Sequence, residues 1–140
     1  MGVLGTGVSV GTELFTRTEA VDRARLVRYA GASGDFNPIH YNERFALEVG
    51  LPGVIAHGML TMGMAAAALT DWLDDASDLL GYGVRFTRPV VVPDPGVAEV
   101  DIVAVVGAVD PEAGTARVDL KVTVNARHVL GKSQAQVRLH

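Results

Sequence analysis

The sequence predicts an α+β fold in which a curved antiparallel sheet wraps around one long central helix. Three observations carry this prediction. Residues 53–70, GVIAHGMLTMGMAAAALT, contain no formal charge, and the helix they suggest is apolar on nearly every side. Such a helix needs cover over most of its surface. Beyond it the hydrophobic period changes from helical to twofold, and four strands follow in succession. A sheet curled around the helix supplies the cover. At 140 residues the chain is expected to form one domain, 1–140, large enough for a substantial core.

The elements follow in order. A short strand is expected from Val8 to Thr18, with Val10, Leu14 and Phe15 set between glycines and threonines. A helix starting at Thr18 or Glu19 then presents Val21, Ala24, Leu26, Val27 and Ala30 at helical spacing and ends near Gly31. A second short helix is expected from Asn37 through Glu48, closed by Gly50. Asn37 suits an N-cap and Pro38 the first helical position. The loop GLPGVIAHG leads into the central helix, from about His57 to Leu73. VRFTRPV supplies the next strand, bent or ended by its prolines. AEVDIVAVV and TARVDLKVTV alternate as half-buried strands, joined by turn chemistry at Asp110-Pro111 and Gly114. In the latter, Ala116, Val118, Leu120, Val122 and Val124 share one face. SQAQVRL forms the last strand.

Composition excludes several function classes. Hydrophobic residues make up 49% and charged residues 20%, the profile of an ordinary globular protein. The formal charge is -4 with no basic block, so no nucleic-acid partner is expected. There is no cysteine, which removes disulfides and thiolate chemistry and fits a cytoplasmic location. The N-terminus lacks the charged start and apolar core of a secretory signal. The uncharged run at 53–70 holds three glycines, two threonines and a histidine, so it reads as a buried helix and no membrane span is expected.

Chemistry concentrates in GASGDFNPIH, residues 31–40. If Asn37 caps a helix, His40 lies in its first turn and Asp35 just before it. The loop can then bring carboxylate and imidazole together, a pairing suited to proton transfer near neutral pH. The same two residues also suit a turn cap and a hydrogen-bonded histidine. His57 and Gly58 open the central helix, whose first N–H groups lack intrahelical partners and favour developing negative charge. Glycine at 58 would let a carbonyl approach the backbone, or would simply allow close packing. His40 and His57 have no ligand-bearing neighbour at recognised metal spacing, so no metal is expected.

The stretch YAGASGDFNPIHYNERFA, residues 29–46, resembles the hydratase-2 motif of the MaoC-like dehydratases, of the form G-D-x-N-P-x-H, with Ala46 at the small-residue position that follows. GVIAHGMLTMG is similar to a second block of that family, and GYGVRFTRPVVVPD to the strand after its central helix. Length and these blocks look most like the B subunits of actinobacterial (3R)-hydroxyacyl-ACP dehydratases. The resemblance covers nearly the whole chain and implies a single hotdog domain. It implies reversible dehydration of (3R)-hydroxyacyl thioesters, carried on acyl carrier protein or coenzyme A, in fatty-acid elongation or related synthesis. Asp35 and His40 carry over as the catalytic dyad and the Gly58 N–H as the oxyanion donor. Asn37, Ser33, Gly34 and His57 carry over as supporting motif residues. Some single-chain hydratases place a serine where Ala66 stands here. An acyl tunnel is expected beside Met59, Leu60 and Met62, and Arg85 and Arg88 are candidates to meet the carrier's phosphates. No cofactor is implied, and the partner is a second copy or a related hotdog subunit. The other reading is a non-catalytic acyl-thioester-binding module or the silent half of a heterodimer.

Overall fold

A computed structural model describes residues 2–140. The first strand, β1 (Glu13–Val21), begins and ends later than expected. Residues Thr18 to Val21 fit a helical stripe, yet they pair with the third strand at Asp101, Val100, Glu99 and Ala98. Helix α1 (Arg23–Ser33) therefore starts after Asp22, whose side chain accepts the Arg25 N–H. It runs through Gly31 and stops at Gly34, which takes a left-handed conformation (φ 76°) that suits glycine.

The single helix expected over 37–48 is two pieces. Pro38–His40 form one 3-10 turn capped by Asn37, whose side chain accepts the Ile39 N–H. Tyr41 and Asn42 leave helical backbone geometry, and Asn42 caps a new helix, α2 (Glu43–Glu48), by accepting the Phe45 N–H. The central helix α3 (Gly58–Trp72) lies where the sequence predicts it, with His57 at the N-cap.

The strands that follow are β2 (Leu79–Phe86), β3 (Ala98–Asp110), β4 (Thr115–Val124), β5 (Arg127–His128) and β6 (Leu130–Arg138). They form one antiparallel sheet in the order β1-β3-β4-β6-β2, with short β5 paired to the end of β4. β2 starts before the expected VRFTRPV, and β5 was not anticipated because two residues carry no period. Register shifts in β1, β2 and β3 break the ladder locally, as β-bulges that bend a sheet do. In β3 the shift falls at Gly107, where a Cβ would run into the side chains of Asp119 and Arg117.

Alternation along β3 and β4 directs Val100, Ile102, Ala104, Val106, Val118 and Leu120 to one buried face. Against that face α3 packs Met64, Ala65, Ala68 and Leu69. Each fully buried valine or leucine is worth about 1.5–3 kcal/mol, so this layer anchors the helix. α3 is not covered all round, however. Met59, Gly63, Ala67 and Asp71 form an exposed stripe along it. No helix among the described residues is long and apolar enough to cross a membrane.

Candidate active site

Three separate segments converge at the N-terminal end of α3. The first is the loop between α1 and the 3-10 turn. Asp35 Oδ1 accepts the Asn37 N–H at 3.1 Å, and the Asp35 N–H donates to Ser33 Oγ at 3.2 Å. The carboxyl group thus caps a turn with one oxygen and leaves the other, Oδ2, 3.9 Å from His40 Nε2. Gly34 ends α1 just before this loop and makes the reversal possible.

The second segment carries His40, buried to 8% side-chain exposure while Asp35 stays at 52%. His40 Nδ1 lies 2.7 Å from the Ile55 carbonyl oxygen. A carbonyl only accepts, so Nδ1 carries a proton, and in the neutral ring it is Nε2 whose lone pair points towards Asp35. Ile55 is itself held by its N–H to the Ile39 carbonyl, 3.2 Å, and the next residue, Ala56, by its N–H to the Val90 carbonyl, 2.8 Å.

The third segment is the start of α3. His57 makes no side-chain capping bond, so the first amides of the helix, Gly58 N–H foremost, have no partner within it. A Cβ at residue 58 would sit 2.9 Å from the exposed Phe86 ring, so any larger residue here would displace that ring. The ring belongs to the end of β2 and closes one side of the helix tip.

His57 ties these parts together. It is 1% exposed. Its Nε2–H donates to the Asp35 carbonyl at 3.1 Å, and its ring stacks on His40 with centroids 3.8 Å apart and planes 22° apart. The Tyr29 ring meets it edge-on at 4.7 Å. Burial lowers the His57 pKa below its ordinary 6.5, with the nearby His40 adding to the shift against the opposing pull of Asp35. His57 is therefore neutral, and its buried Nδ1 has no hydrogen-bond partner.

One ligand atom from each of Asp35, His40 and His57 falls within 4.8 Å of the others. Imidazole lone pairs lie in the ring plane, and two stacked rings direct theirs along separate planes. His40 Nδ1 and His57 Nε2 are both committed to backbone carbonyls, which leaves one free nitrogen on each of the two stacked rings.

The cavity at this junction has a volume of about 430 Å³, and its lining includes Asp35, His40, Gly58, Met59, Phe86 and Arg88. Of the other expected residues, Leu60 turns into the core and Met62 is half-buried outside the lining; Thr61 lines the cavity instead. Arg85 is exposed and outside the lining. Ser33, Gly34, Asn37 and His57 support the site from behind. Ala66 is half-buried and also lies outside the lining. The Ile55 carbonyl and Phe86 were not foreseen as parts of the site. The first is a backbone group without a sequence signal, whereas an aromatic residue closing the VRF strand was visible.

The family model described as MaoC like domain matches residues 7–126. A 3-hydroxyacyl-thioester dehydratase X from Mycobacterium tuberculosis is 47% identical over 70 residues, covering 50% of this chain and 24% of that protein. An (R)-specific enoyl-CoA hydratase from Aeromonas caviae is 34% identical over 82 residues, covering 58% of this chain and 61% of the relative. Among solved structures, a MaoC-like dehydratase superposes with a TM-score of 0.93 at 35% identity, over 99% of this chain and 43% of that one. The chain thus spans less than half of that structure and about a quarter of the mycobacterial relative.

Proposed function

The chain belongs to the MaoC-like domain family, and from that premise we propose that it interconverts (3R)-hydroxyacyl and trans-2-enoyl thioesters by adding or removing water. The observation that carries this reading is the orientation of His40. Its Nδ1–H is committed to Ile55, so in the neutral ring the lone pair of Nε2 faces the cavity, 3.9 Å from a carboxyl oxygen of Asp35. An oxygen about 2.8 Å from each of those two atoms would see them at about 90°, which suits a hydroxyl or water held between them.

In dehydration, His40 Nε2 removes the proton on the carbon next to the thioester carbonyl. Charge moves onto the carbonyl oxygen, where the Gly58 N–H and the positive end of α3 stabilise it. Asp35, as the acid, gives its proton to the departing 3-hydroxyl, which leaves as water. The proton on His40 then passes to Asp35 and restores the pair. Hydration runs the steps in reverse, with Asp35 taking a proton from water as it adds and His40 protonating the neighbouring carbon. Placed acid, base and oxyanion donors meet every proton and charge requirement of this elimination.

The acyl chain is expected along Met59 and Thr61. Exposed apolar side chains at Met59, Leu80 and Phe86 support pairing with a second copy or a related subunit. The name of the Aeromonas caviae relative supports a thioester of coenzyme A, and acyl carrier protein is the other carrier proposed. Fatty-acid elongation is the setting proposed for it, in the cytoplasm.

The test follows the conjugated-enoyl absorbance of crotonyl-CoA mixed with the purified protein. Loss of absorbance with formation of the (3R)-hydroxy product is expected. Crotonyl-CoA bound without turnover, alone and with candidate partner subunits, would make the domain a binding module instead.

A further inference from the structure

Arginine pairing in this molecule is uneven. Six of the ten arginines (Arg17, Arg23, Arg25, Arg44, Arg117 and Arg138) form an ion pair with a carboxylate. Among the described residues, Arg28, Arg85, Arg88 and Arg127 form none. Two of these four, Arg88 and Arg127, line one open groove of about 480 Å³ together with Asn125, and no Asp or Glu contributes to it. In a chain of net charge -4, a groove with two guanidinium groups and no carboxylate is an exception to the overall balance.

The groove adjoins the candidate active site. Arg88, Pro89 and Val129 line both it and the 430 Å³ cavity that holds Asp35 and His40. One of its two guanidinium groups is held in place by backbone. Arg88 Nη1–H donates to the His128 carbonyl at 3.1 Å, and His128 is the neighbour of Arg127 in β5. One two-residue strand therefore holds the Arg88 guanidinium and carries Arg127 beside it. The turn that presents this strand has Asn125 at φ 50° and Ala126 at φ 62°, a backbone region that alanine disfavours. It pairs Arg127 with Val124 across the hairpin.

A guanidinium fork matches phosphate oxygens in charge and geometry. We propose that this groove binds the phosphate of the carrier on which the thioester is delivered. The inference rests on the thioester reading above and deepens it. The acyl end enters the cavity, the arm crosses the shared border at Pro89 and Val129, and its phosphate meets Arg88 and Arg127. Val91, Val124 and Val129 give the arm apolar contact along the way. Arg85, which lines neither space, is left out of the role first expected of it.

Calorimetric titration separates this proposal from the reaction, because no turnover is needed. The probes are 4′-phosphopantetheine, pantetheine without the phosphate, and adenosine 3′,5′-bisphosphate. Phosphopantetheine is expected to bind at least about tenfold more tightly than pantetheine, the size of a single charge-assisted contact. Arg88→Ala and Arg127→Ala should each remove most of that preference, whereas Arg28→Ala should keep it. Arginine-dependent binding of the bisphosphate would assign the groove to the nucleotide end of coenzyme A; its absence would assign it to the arm's own phosphate. A wild-type protein with no preference for phosphate, or a preference that survives both substitutions, overturns the proposal. Enoyl hydration without phosphate preference removes the groove and keeps the reaction, and phosphate preference without hydration does the opposite.

Discussion

At the scale of single residues, the position of His57 couples stability to pH. Its folded pKa is lowered, chiefly because burial disfavours the charged ring. Below about pH 6.5 the unfolded chain binds a proton on this side chain that the folded chain refuses, so stability falls as pH drops from there through the lower, folded pKa. The urea midpoint of the wild type should therefore decrease between pH 7 and pH 5, and His57→Asn should show a shallower decrease over the same range. Identical pH profiles in the two proteins would show that this ring's burial has no such consequence. Asp35 and His40 were legible in the sequence because they lie five residues apart in one contiguous motif. The tautomer of His40 was not. It depends on the Ile55 carbonyl, a main-chain group from another segment that any residue type would supply. The methionine tunnel failed in part for a related reason. Met59 and Leu60 are adjacent in sequence but point about 100° apart around a helix of 3.6 residues per turn.

At the scale of elements, the boundary between β1 and α1 is the instructive one. The segment TEAV fits a helical stripe and a strand equally well, and pairing with β3 decides for the strand. What separates the two is Asp22, a strong N-cap type directly before the helix. Asp22→Ala should cost about 1 kcal/mol of stability in urea denaturation, the usual value of such a cap. A loss within measurement error would mean that α1 is held by its packing through Leu26 and Ala30 alone. β4, by contrast, was legible at both ends. Its alternation is unbroken over ten residues, and Gly114 marks the turn before it. β5 has two residues and no periodicity to read, yet it presents Arg127.

At the scale of the whole molecule, a helix almost without charge packed against an antiparallel sheet was predictable from composition and period. Which side of that helix the sheet leaves open was not, since Met59, Gly63 and Ala67 are as apolar as the residues it covers. The fold gathers parts of the chain far apart in sequence at one helix tip: the loop at Asp35, the turn at His40, the backbone at Ile55 and the ring of Phe86. The central claim is that Asp35 and His40 act as one acid–base unit there. Crotonyl-CoA hydration rates for His40→Ala, Asp35→Asn and the double variant, each checked for folding, test it most directly. Each single change should lower turnover by about 100-fold or more, and the double variant should lose little beyond the worse single, as groups acting in one step do. Near-normal turnover in either single variant, or losses that multiply in the double, would contradict it.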